Sequence, residues 1–129
     1  MNTWMSFLCV GAGGMLGSVM RYGLTLVLQQ QSIVMPFGTL WSNICGCFII
    51  GVTAEIAAQT EILSPQARLF IATGVCGGFT TFSSLIYELA QMCKDSEYLH
   101  ALVYLNATFI GSALAFLVGT LAVKGLARI

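Results

Sequence analysis

From its amino end the chain alternates long apolar runs with short polar interruptions. A run of about 20 apolar residues matches a helix crossing roughly 30 Å of hydrocarbon at 1.5 Å per residue. Four such runs predict spanning helices near residues 4–28, 39–58, 67–92 and 98–123. The connections carry suitable start and stop signals. "QQQSIVMPFG" holds Pro36 and Gly38, and in "QTEILSPQ" the pair Ser64-Pro65 puts proline at the first turn of the third run. "CKDSEY" is short, so the third and fourth runs should be antiparallel neighbours. The expectation is an all-α membrane protein, with one four-helix transmembrane domain over residues 1–129.

The third run is irregular. "GVCGGFTTFSS", residues 74–84, puts glycines and hydroxyls where a spanning helix should be most regular. Gly74, Gly77 and Gly78 invite a break over Gly74–Thr80, and a break frees backbone carbonyls. Irregular backbone at membrane depth persists where it is buried in protein, lines a cavity or holds an ion. After it come the hydroxyls of Thr80, Thr81, Ser83 and Ser84, and the rings of Phe79 and Phe82, whose edges carry partial positive charge. The segment contains no acid. Neutral donors and ring edges suit a small anion, which they can solvate without a fixed charge that would trap it.

Other polar residues fall inside the runs. Asn43, after "GTLWS", needs a partner in hydrocarbon, either across to another helix or in an ion path. Tyr104, Thr108 and Ser112 recur every fourth residue and stack three hydroxyls on one helix face, although Thr and Ser can also bond back to the carbonyl four residues earlier. Arg21 is close enough to its helix end to anchor at the interface, and Glu88 reads equally as an interfacial cap or a partner for a cation. Small residues at Gly13 and Gly17, at Cys47 and Gly51, and at Gly111, Ala115 and Gly119 mark faces for close helix contact.

Composition narrows the class. The 129 residues are 57% hydrophobic and 8% charged, too few charges for a soluble surface. Five basic and five acidic residues cancel, which leaves no electrostatic footprint for nucleic acid. Arg68, Lys124 and Arg128 fall on the side of the N-terminus, while Lys94 falls on the other and Arg21 leans that way. So weak a positive-inside bias suits a chain that inserts in both orientations, or one whose partner sets its orientation. "MNTWMSFLCV" lacks the basic start of a cleavable signal peptide. Cys9, Cys45, Cys47, Cys76 and Cys93 lack paired metal-site spacing and read as small packing residues.

"GAGGMLGSVMRY", "GTLWSNICGCFIIG", "TGVCGGFTTFSS" and "NATFIGSALA" resemble, in order and spacing, the four spans of the Fluc (CrcB) family of small fluoride channels. The resemblance implies a passive channel, not an enzyme, that exports fluoride across the bacterial inner membrane. It implies an antiparallel, dual-topology homodimer with two pores and one central structural Na⁺, held by backbone carbonyls of Gly77 and Thr80 from each subunit. The pore residues it implies are Asn43, Phe82, Ser83, Ser84, Tyr104, Thr108 and Ser112. Leu85, three residues from Phe82 and expected to line the same passage, stands where the family usually has a second phenylalanine, and if both rings matter Leu85→Phe should raise conduction. Two rivals compete with this reading. A four-span drug–proton antiporter would need an acid in the first span, which offers Arg21 instead. In a non-conducting assembly subunit the polar residues would only join helices.

Overall fold

Hydrocarbon cannot hydrogen-bond a peptide group, so a spanning segment must satisfy its own backbone. The computed structural model, which describes residues 2–127, is accordingly all-helical among them; Arg128, counted above among the charges, lies outside that range. Four helices are long and apolar enough to cross a membrane. These are α1 (Thr3–Val27), α2 (Phe37–Gln59), a composite third span (Pro65–Lys94) and α6 (Tyr98–Leu126). The third span comprises α3 (Pro65–Arg68), a π-helical stretch (Leu69–Cys76), α4 (Gly77–Phe79) and α5 (Phe82–Lys94). Side-chain caps set three of the helix starts. Asn2 accepts from the Trp4 N–H, Ser64 from Ala67 and Thr81 from Ser84.

The break is narrower than the glycines suggest. The chain stays helical through Gly74, Gly77 and Gly78 and becomes extended only at Thr80 (φ −80°, ψ 155°) and Thr81 (φ −152°, ψ 121°). The expected break over Gly74–Thr80 is therefore corrected to Thr80–Thr81. Among the described residues no glycine has a positive φ, so the glycines are not there for unusual backbone angles. Gly74 and Gly78 instead serve contact with α1. A Cβ on Gly78 would overlap the Gly14 carbonyl oxygen, and one on Gly74 would come within 2.8 Å of the Gly13 Cα. The two backbones touch where lipid offers no hydrophobic drive to bring helices together.

Two helix pairs organise the bundle. α1 lies on the π-helical stretch and α4, while α2 lies along α6, where Gly51 meets the Phe116 backbone and Gly119 meets that of Phe48. A small apolar core of Leu40, Leu85, Met92, Ala101 and Tyr104 joins α2, α5 and α6. Large apolar side chains such as Phe7, Met15, Val19, Leu117 and Leu121 point outward, as a surface solvated by lipid requires. The pairs meet at Thr80–Thr81, where α2 crosses the break so closely that a Cβ on Gly46 would overlap the Thr80 methyl.

Candidate functional site

Two consecutive extended residues cost the third span its helical hydrogen bonds at mid-membrane, and those groups need other partners. Asn43 on α2 supplies two. Its Nδ2 donates to the Thr81 carbonyl at 3.1 Å, and its Oδ1 accepts the Thr81 N–H at 2.7 Å. The carboxamide thus replaces a piece of backbone ladder. Thr81 then starts α5, its Oγ1 accepting from the Ser84 N–H at 3.2 Å and lying 3.1 Å from Ser84 Oγ and 3.3 Å from Ser83 Oγ. On the other side of the break, Arg21 Nε donates to the Gly78 carbonyl at 3.1 Å. Arg21 thereby caps the open end of α4, a role that the interfacial-anchor reading did not contain.

These bonds release two carbonyls. In a continuous helix the Thr81 N–H would go to Gly77 and the Ser84 N–H to Thr80; here they go to Asn43 Oδ1 and Thr81 Oγ1. The Gly77 and Thr80 oxygens are thus left without their helical donors. Such neutral oxygen donors fit a hard cation.

Beside the break lies a cavity of about 220 Å³. Asn43 and Cys47 of α2 line one wall, Thr80, Thr81, Phe82 and Leu85 a second, and Thr108, Phe109 and Ser112 of α6 the third. Among the described residues no charged side chain lines it. Its polar lining residues differ in how far their donors are committed. Ser112 Oγ is buried and has no hydrogen-bond partner among the described residues. Asn43 Nδ2 carries two protons and gives one to Thr81. Thr108 commits its proton to the Tyr104 carbonyl at 2.8 Å, the back-bond open to any helical threonine. Phe82 and Phe109, 65% and 57% exposed, stand at the open side of the cavity, so in a single copy this site opens onto lipid.

Of the residues singled out in the sequence as donors or pore positions, Asn43, Thr80, Thr81, Phe82, Leu85, Thr108 and Ser112 come together here. Leu85 is only 2% exposed and belongs mainly to the apolar core. Ser83 and Ser84 lie outside the lining, at the start of α5. Tyr104 lies outside it too, fully buried, with its hydroxyl donating to Glu88 Oε2 at 2.5 Å. Glu88 also accepts from Thr39 Oγ1 at 2.8 Å, so it holds two neutral hydroxyls. Gly77 lines a separate cleft of about 170 Å³ with Thr80, Cys47 and Cys76. Cys47 and Phe109 were missed as cavity residues. Phe109 had no signal in the sequence, and Cys47 read only as a small packing residue.

Four apolar helices, one of them interrupted beside an uncharged cavity, define a small multi-pass membrane protein. The chain belongs to the CrcB family: the family model described as "CrcB-like protein, Camphor Resistance (CrcB)" matches residues 8–120. Relatives called fluoride-specific ion channel FluC align over nearly the whole chain. That of Chlorobium phaeobacteroides (strain DSM 266) is 47% identical over 119 residues, covering 92% of each chain. That of Chlorobium luteolum is 46% identical over 123 residues, 95% of each chain. A more distant source, Thermus thermophilus, has one 45% identical over 113 residues, covering 86% of this chain and 90% of the relative.

Proposed function

We propose that this protein is a passive, fluoride-selective channel of the inner membrane, working as an antiparallel, dual-topology homodimer that lets cytoplasmic fluoride out. The observation that carries the reading is the uncharged cavity lined by Ser112, Asn43, Phe82 and Phe109, in which the buried Ser112 Oγ has no hydrogen-bond partner among the described residues and Asn43 keeps one amide proton uncommitted. A buried donor without a partner costs about 1–3 kcal/mol, and an anion that accepts its hydrogen bond relieves that cost. Neutral donors also release the ion, which conduction requires. Family membership and the name carried by the relatives support fluoride as that anion.

The dimer supplies what one copy lacks. The cavity opens past exposed Phe82 and Phe109, and an ion path cannot open onto hydrocarbon; a second copy would close it. Gly77 and Thr80 would hold a structural Na⁺ through their released carbonyls, where its charge would tie two copies together. The antiporter reading finds no support, since α1 contains no acid and both oxygens of Glu88 already accept hydroxyl protons.

Ser112→Ala tests the carrying observation. The hydroxyl has no partner to lose, so the variant should fold with unchanged or slightly raised stability while fluoride efflux from liposomes falls severalfold. Unchanged efflux would remove Ser112 from the path.

A further inference from the structure

The cleft on the far side of the break holds a pair of groups that the ion path does not use. Cys47 on α2 and Cys76 at the end of the π-helical stretch both line this 170 Å³ space, and Cys47 also lines the larger cavity. Cys76 is only 3% exposed, and all five cysteines of the chain are free thiols. Helix α2 rests directly on the break here, with Gly46 against Thr80, so residues of α2 and of the third span line one cleft across a close helix contact. Among the described residues no third His, Cys, Asp or Glu joins them in a metal-binding group. A tetrahedral zinc-type site is therefore excluded. Two sulfurs alone suit soft cations that accept two-coordinate geometry.

We propose that Cys47 and Cys76 form a two-coordinate site for a thiophilic cation such as Hg²⁺, Ag⁺ or Cu⁺, and that filling it closes the adjacent ion path. The closure rests on the channel reading; the cation site does not. Mercuric chloride is the natural probe, because the neutral molecule crosses lipid and reaches thiols that a hydrated ion does not. Two sulfur–mercury bonds form and two mercury–chlorine bonds break, and the two thiol protons leave with the two chlorides. No electron transfer is needed. Two bonds of the length zinc makes with thiolate span about 4.6 Å, the sulfur–sulfur separation that the bridge requires. The bridge pins α2 to the third span one turn before the break, and its Cys47 end sits in the wall of the larger cavity.

The test uses full-length protein carrying Cys9→Ser, Cys45→Ser and Cys93→Ser, so that only the pair remains. After mercuric chloride and desalting, one mercury per chain with two sulfur neighbours by X-ray absorption is expected. Adding Cys47→Ser or Cys76→Ser should remove the two-sulfur signal. In liposomes, mercury should slow fluoride efflux of the pair-only protein at least tenfold, and a dithiol should restore it. Mercury with one sulfur neighbour, or a two-sulfur signal that survives either added substitution, overturns the site. A two-sulfur signal with undiminished efflux overturns the closure. If the protein passes no fluoride before mercury is added, the channel reading fails, and the sulfur count decides the cation site by itself.

Discussion

Asn43→Ala removes two hydrogen bonds that hold the break in the third span. The Thr81 N–H loses its acceptor at 2.7 Å, and the Thr81 carbonyl loses a donor at 3.1 Å. An unsatisfied buried donor costs about 1–3 kcal/mol, and a lost bond whose acceptor keeps another partner about 0.5–1.5 kcal/mol. The Thr81 carbonyl stays within the first turn of α5, so the second, smaller figure applies to it. Thr81 is half-buried, which favours the lower part of both ranges. The expected loss is about 2 kcal/mol, read as a shift in reversible unfolding in mixed micelles. Amide exchange at Thr81 should accelerate by more than tenfold. Asn43→Asp keeps an acceptor for the Thr81 N–H but sets a carboxylate against the Thr81 carbonyl. It should retain more of the fold than alanine yet stop conduction, because a fixed negative charge repels an anion strongly in a low-dielectric path. An alanine variant within about 0.5 kcal/mol of wild type, with the Thr81 amide equally protected, would refute the reasoning.

Two further substitution tests address packing and the ring position. Gly78→Ala drives a methyl into the Gly14 carbonyl and should cost about 1–3 kcal/mol, whereas Gly77→Ala meets no atom within 4 Å in one copy and should leave the monomer fold intact while weakening the dimer; micelle unfolding and cross-linking read the two effects, and an intact dimer would count against Gly77 lying between subunits. Leu85→Phe adds volume to a side chain only 2% exposed and should destabilise by about 1–3 kcal/mol without faster fluoride efflux. A faster, equally stable variant would show that a ring at this position serves the path, as the family resemblance implies.

The four helices were legible because hydrocarbon admits few alternatives to a long apolar helix, and run length alone exposes that. The glycines of the third span misled for a physical reason. One residue type serves both backbone freedom and close helix contact, and only the position of α1 reveals that Gly74 and Gly78 do the second. The break belongs to Thr80 and Thr81, and Asn43 holds it from 38 residues away, a pairing that local pattern cannot display. Tyr104, Thr108 and Ser112 do share a helix face, yet their hydroxyls differ because each answers to a different neighbour. The first donates to Glu88, the second to its own helix, and the third has no partner among the described residues. Cys47 and Cys76 come from different spans, so their shared cleft is invisible before the helices pack.

Anion efflux from liposomes that contain only this protein tests the central claim most directly. Vesicles loaded with equal fluoride and chloride, made permeable to K⁺ with an ionophore, should release fluoride rapidly and retain chloride. Fluoride's compact charge gains most from the few close donors at the cavity, and chloride is too large to approach them all. Comparable release of the two anions, or no release of fluoride from protein shown to be folded and dimeric, would contradict the account.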